Sequence, residues 1–159
     1  MAFSSFIKHQ LPKKNSRYKQ GLFDEYNPVK YVGPRPIVYR SSLEYKFMIK
    51  LELNPNVMKW SSENFQIPYT LQELNSNGKF VDVRHTYNVD FTVWMKNGNI
   101  YVIEVKPFSQ SPQNISQIKQ NPVMYKNARK WKAAIAWCKQ KGYIFKVITE
   151  KDLNTSVFK

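Results

Sequence analysis

The sequence is poor in residues that staple or ligate. Of its 159 residues one is cysteine, Cys138, and two are histidine, His9 and His85. A single thiol excludes an intrachain disulfide and a multi-cysteine zinc site, and two imidazoles are too few for a zinc site of the usual kind. No apolar run approaches the ~20 residues that cross a bilayer. The opening Met-Ala-Phe-Ser-Ser-Phe-Ile-Lys-His lacks the apolar core of a signal peptide. The expectation is a chain that works in a reducing cytoplasm or, if viral, is assembled there. Acidic residues are scarce as well: eleven Asp and Glu face twenty-five Lys and Arg, for a net charge of +14. Such an imbalance points to a polyanionic partner. Nucleic acid ranks ahead of an anionic membrane, because no basic amphipathic anchor helix is evident.

What is present suits a folded α/β protein. A hydrophobic fraction of 42% and an aromatic fraction of 15% are those of a chain with a core, and 159 residues fit one domain. Residues 1–36 read as a basic arm, irregular in part, in which Pro12, Pro28, Pro34 and Pro36 interrupt any helix. Its aromatics, Phe23 and Tyr31 among them, suggest an arm lying across the domain formed by residues 37–159.

The most informative stretch runs from Tyr87 to Pro107. Two runs rich in Val, Ile and aromatics flank Asn97-Gly98, a strong hairpin turn signal. A hairpin folded there carries Asp90 on one strand close to Glu104 and Lys106 on the other. Side chains alternate along a strand, so Glu104 and Lys106 share a face with Val102. One reading is a surface hairpin with a cross-strand salt bridge. The other is a metal site, since carboxylates among apolar residues are costly unless paired or metal-bound. Mg²⁺ takes a few carboxylate oxygens and keeps several waters. Asp90 and Glu104 could supply such a site and Lys106 could position an attacking water, a combination suited to phosphodiester hydrolysis.

Val89-Asp90, thirteen intervening residues, then Glu104-Val105-Lys106 resembles the signature of the PD-(D/E)xK nuclease superfamily. Upstream, Tyr39-Arg40-Ser41-Ser42-Leu43-Glu44 resembles its helical Glu motif. With Asn54-Pro55, Trp60, Ser62-Glu63 and Ile67-Pro68-Tyr69, the pattern is similar to tailed-phage head-completion nucleases and, more distantly, transposon-end-cutting endonucleases. Lys130-Trp131-Lys132-Ala133-Ala134 and Phe145–Glu150 extend the likeness, which spans roughly residues 37–153. Val89 stands where the motif has Pro, a variable position. The resemblance implies a restriction-endonuclease-like core, with a central mixed β-sheet flanked by helices. It also implies a Mg²⁺-dependent deoxyribonuclease, with Mn²⁺ as a possible substitute. Asp90, Glu104 and the Val105 carbonyl would hold the metal, Lys106 would orient water, and Glu44 would complete the acidic cluster. The implied partners are DNA and phage head or neck proteins, with no membrane. Two other readings stay open: a DNA-binding head or neck protein that keeps the fold as scaffold, and a Holliday-junction resolvase, which would need a symmetric dimer.

The remaining elements follow from local signals. Ser41 or Ser42 caps a helix that stops at Asn54-Pro55, with an apolar stripe of Leu43, Phe47, Ile49, Leu51 and Leu53. Glu44 in its first turn also suits the helix dipole, independent of any catalytic role. Residues 57–69 suggest a connection and a strand, and residues 71–83 a strand or hairpin turning at Asn77-Gly78. Glu63 and Asp82 are competing acids without a suitably spaced lysine, and His85 reads as a polar strand-end residue. Ile115–Gln120 suggests a short helix broken by Asn121-Pro122. A longer helix from Met124 to Lys141 buries Ala128, Trp131, Ile135 and Cys138 and ends at Gly142. Its basic remainder, with Lys126, Arg129, Lys130 and Lys132, is either an ordinary solvated face or a DNA-facing one. Arg40 is a further candidate for DNA contact. Residues 143–148 form a strand parallel to that of Glu104, and the sheet is expected to carry every antiparallel strand up to Glu104. The charge predicts steep salt dependence: duplex binding, measured by anisotropy, should weaken by about tenfold or more between 50 and 200 mM NaCl.

Overall fold

The computed structural model describes residues 19–111, 121–154 and 158. Its first elements are β1 (Gly21–Leu22) and β2 (Val38–Tyr39), which pair antiparallel. Helix α1 (Ser42–Leu53) starts where the sequence signals it. Ser41 is the extended cap residue, and its hydroxyl accepts the Glu44 N–H at 3.1 Å. Asn54 ends it, because the following Pro55 disfavours helical backbone. The buried stripe is Phe47, Met48 and Leu51, not the expected set through Leu53, which is 69% exposed. Three- and four-residue steps keep one helix face on the core, whereas steps of two leave it.

After α1 come β3 (Val57–Ser62), β4 (Gln66–Leu74) and β5 (Phe80–Asn88). β4 and β5 form a nine-pair hairpin. The Asn75 side chain accepts the Asn77 and Lys79 N–H groups in its turn, and Gly78 takes a left-handed φ of 73°. This hairpin is longer than expected and is a sheet of its own. The expectation that every strand before Glu104 joins the central sheet is therefore corrected. Its His85 lies within β5 beside Glu73, and Asp82 is exposed.

The central hairpin is β6 (Phe91–Met95) and β7 (Ile100–Val105), turning at Gly98 with φ 90°. It begins later than Tyr87, because Tyr87 and Asn88 belong to β5 and the Val89 N–H still bonds the Phe65 carbonyl at 3.0 Å. The chain changes partners at Asp90, whose carbonyl accepts the Glu63 N–H at 3.1 Å beside β3. Helix α2 (Pro122–Lys141) then crosses to β8 (Ile144–Ile148), which runs parallel to β7 as expected. Asn121 caps α2 and Pro122 opens it, so the dipeptide read as a break is a start signal. Gly142, at φ 73°, closes it. Met124, Asn127, Trp131, Ala134 and Cys138 are its buried residues, while Ile135 is 56% exposed and off the stripe. The expected helix at 115–120 lies outside the described residues.

The central sheet has the order β3-β6-β7-β8, and it separates two apolar clusters. Phe47, Met48 and Leu51 of α1 pack with Phe91, Val93, Ile103 and Val105 in one cluster. Ala134 and Cys138 of α2 pack with Val102 and with Ile67, Tyr69 and Tyr87 of the long hairpin in the other. Cys138 is thus a core residue, and burial pushes its thiol up to about 11. This mixed sheet between helices is the restriction-endonuclease-like arrangement expected.

Part of the basic arm is built into the first cluster. Phe23 and Tyr31 are buried there, and the Val32 N–H bonds the Trp60 carbonyl at 2.9 Å. Glu52 of α1 clamps this segment: it accepts the Val29 and Lys30 N–H groups at 3.0 and 3.2 Å and the Trp60 indole at 2.7 Å. Glu52→Ala strands those donors and should cost about 1–3 kcal/mol in urea unfolding, whereas Glu52→Gln should cost less.

Candidate active site

Strand register assembles the acids. Phe91 pairs with Ile103 and Thr92 with Val102, so the same register extended by one residue sets Asp90 opposite Glu104. The Val105 N–H donates to Asp90 Oδ2 at 2.7 Å and ties the end of β7 to the residue preceding β6. Glu104 is 3% exposed, and its Oε1 lies 3.2 Å from Lys106 Nζ. The sheet therefore brings Asp90, Glu104 and Lys106 together.

Helix α1 supplies the third acid. Glu44 lines a cleft of ≈ 340 Å³ together with Arg40, Asp90, Val105, Lys106 and Gln110. Its Oε2 accepts the Arg40 N–H at 2.8 Å. That bond is a close relative of the capping box, so Glu44 has a helix-start role as well as a place in the cleft. A larger cavity of ≈ 680 Å³ flanks the other side of this turn, lined by Tyr26, Tyr39, Tyr45 and Lys46. It has only Glu25 as an acid, so the acid chemistry lies in the smaller cleft.

Crowding shows in the titration of these groups. Burial first, then Glu104 and Glu44, push Asp90 well above the usual carboxylate range, against Lys106 and the Val105 N–H. Glu44 is raised chiefly by burial, with a further push from Glu63 opposing the Arg40 N–H. Burial works against the Lys106 charge, but Asp90 and then Glu104 outweigh it and its pKa stands above the ordinary lysine value.

Among the described residues no group of three or more His, Cys, Asp and Glu is gathered tightly enough to hold a metal alone. What the sheet offers is two carboxylates and the Val105 carbonyl. This all-oxygen set fits a hard cation that keeps its own waters. A cation there would also offset the burial and the like-charge repulsion that raise Asp90.

The other candidates divide. Arg40 is engaged: its Nε and Nη2 donate to Glu63 at 2.7 and 3.1 Å. Glu63, an acid for which the sequence offers no suitably spaced lysine, has this arginine as its partner. It follows β3 beside Asp90 with φ 49°, and only the long-range pairing of β3 with β6 places it there. On α2, Arg129 Nε donates to the Thr70 carbonyl at 3.2 Å and ties the helix to β4. Lys126 and Lys132 are exposed, whereas Lys130 is half-buried with its ammonium over the Tyr87 ring.

The sequence profile of the TnsA-like endonuclease N-terminal domain matches residues 54–150. The chain belongs to the TnsA-like endonuclease family. It is thereby a nuclease. It is also 33% identical over 147 residues to the head completion nuclease of Enterobacteria phage T4, covering 84% of this chain and 92% of that protein. The family match includes Asp90, Glu104 and Lys106 and begins after Glu44. No described helix is long and apolar enough to cross a membrane.

The raised Asp90 pKa has a definite sign for stability. A carboxylate raised on folding favours the folded state only while protonated. Stability is lost as pH rises from the unfolded value through the folded one. Asp90→Asn keeps an oxygen for the Val105 N–H and removes the charge. In metal-free protein it should raise Tm at pH 7–8, and the gain should vanish below about pH 3, under the unfolded value.

Proposed function

We propose that this nuclease is a metal-dependent deoxyribonuclease in which Asp90, Glu104 and the Val105 carbonyl hold Mg²⁺. The observation that carries the proposal is the strand register that sets Asp90 opposite Glu104, with Lys106 paired to Glu104 beside a cleft lined by Asp90, Lys106 and Glu44. A bound Mg²⁺ would polarise the phosphate and neutralise charge developing on it. The chain's own groups supply the rest. Lys106, kept charged by Asp90 and Glu104, holds the attacking water in line and donates to a non-bridging phosphate oxygen. Glu44, across the cleft, accepts from that water and orders it. Hydrolysis adds the water oxygen to phosphorus and breaks one ester P–O bond, leaving a phosphate end and a hydroxyl end. Lysines around the cleft would draw in DNA through its phosphates without reading bases, in line with the charge of +14.

The phage T4 relative supports a role in head completion, acting on packaged or incoming DNA ends beside head or neck proteins. A scaffold without chemistry has no use for two carboxylates crowded at a cost in stability, and this favours the enzyme. Cleavage of linear, nicked, branched and single-stranded DNA with Mg²⁺ or Mn²⁺ tests the proposal. Lys106→Ala should lower the rate about 10²–10³-fold while DNA binding persists. Cutting unaffected by that substitution would move the chemistry elsewhere. DNA binding by folded wild type without cutting under any metal would leave the scaffold.

A further inference from the structure

The sheet face that carries Glu104 has a basic residue above it, contributed by α2. Glu104 lies two residues from Val102 on its strand and so on the sheet face covered by α2, where Val102 packs with Tyr87, Ala134 and Cys138. On that face Lys130 Nζ stands 5.2 Å from the centroid of the Tyr87 ring, within cation–π range. Tyr87 is 6% exposed, and its hydroxyl has no hydrogen-bond partner among the described residues. A buried donor left unsatisfied is costly in a core, and here it sits in the field of Glu104 and Asp90. Burial draws the Lys130 pKa down, while Glu104 and Asp90 pull it back up and Lys106 and Lys126 push it down further. Lys130 therefore shares an electrostatic environment with the acid pair and with Lys106.

We propose that Lys130 is a second cation of the Asp90–Glu104 centre, held over it by the Tyr87 ring, where it grips a non-bridging phosphate oxygen of the strand being cut. The inference rests on the nuclease reading above and assigns Lys130 to the centre rather than to the general basic surface. An aromatic platform limits the rotamers of a long side chain, so the ammonium waits in place instead of being ordered at each encounter. Two cations from different elements, Lys106 from the sheet and Lys130 from the helix, would clamp the phosphate from two directions.

The test uses the full chain and compares Lys130→Met and Lys130→Arg with Lys79→Met, which removes an equal charge from the exposed tip of the long hairpin. Steady-state cleavage with Mg²⁺ should show kcat falling about 10–100-fold in Lys130→Met with little change in KM, and partial rescue in Lys130→Arg. Lys79→Met should match wild type. Calorimetry with Mn²⁺ and no DNA supplies a readout apart from catalysis. Loss of a cation beside the acid pair should tighten Mn²⁺ binding severalfold in Lys130→Met and leave it unchanged in Lys79→Met. A purely structural Lys130 would lower Tm without splitting kcat from KM or tightening Mn²⁺. Wild-type cleavage that depends on Lys106 but is indifferent to Lys130→Met, with unaltered Mn²⁺ affinity, would overturn this inference alone. Wild type that neither binds Mn²⁺ nor cuts would overturn the nuclease reading and this inference together.

Discussion

Asp90 and Glu104 face each other where the chain cannot let them separate. Burial first, and then repulsion from Glu104 and Glu44, raise the Asp90 pKa, the mark of what it costs to keep the carboxylates there. What opposes it is backbone. Asp90 is bonded through its side chain to the Val105 N–H and through its carbonyl to the Glu63 N–H, so its position is set by the ends of two neighbouring strands. Sliding β6 past β7 by one residue would turn Val93 and Ile103 out of the core, and that apolar penalty holds the register. The core on one side of the sheet thus maintains an unfavourable electrostatic arrangement at its edge.

The surrounding elements extend that arrangement. Helix α1 packs Phe47, Met48 and Leu51 against the sheet, and this fixes the height at which its first turn presents Glu44. Arg40 spans the gap, with its N–H on Glu44 and its guanidinium on Glu63. Glu44 and Asp90 line the cleft from different segments, Glu104 on β7 stands opposite Asp90, and Glu63 is paired with Arg40. On the face that carries Glu104, α2 places the Lys130 ammonium over the Tyr87 ring. Lys106 offsets part of the repulsion, and a divalent ion would offset more.

Much of this was legible from local signals, and the misses share a cause. The Asn97-Gly98 turn, the Ser41 cap, the Gly142 stop and the parallel β8 are short-range or adjacent features, and they stand where sequence places them. The errors lie where the chain changes partners. Nothing in Tyr87-Asn88-Val89-Asp90 says that the first two residues pair with β4 and the last with β3. Apolar character alone assigns Leu53 and Ile135 to buried stripes, yet helix phase turns both to solvent. The partners of Arg40 and Arg129, Glu63 and the Thr70 carbonyl, lie 23 and 59 residues away in sequence, beyond the reach of a local pattern.

By itself the sequence determined the charge, the element types and the motif pairing an acid near the start of one strand with Glu-x-Lys at the end of the next. These depend on residue chemistry and on the two-residue period of a strand. Tertiary structure decided which acids meet. Glu44, Glu63, Asp90 and Glu104 are separated by up to sixty residues and converge only because β3, β6 and β7 align and α1 docks on them. It also decided which cations remain available, since an arginine is committed or open according to what packs beside it. Such pairings depend on contacts distant in sequence, which no local pattern encodes.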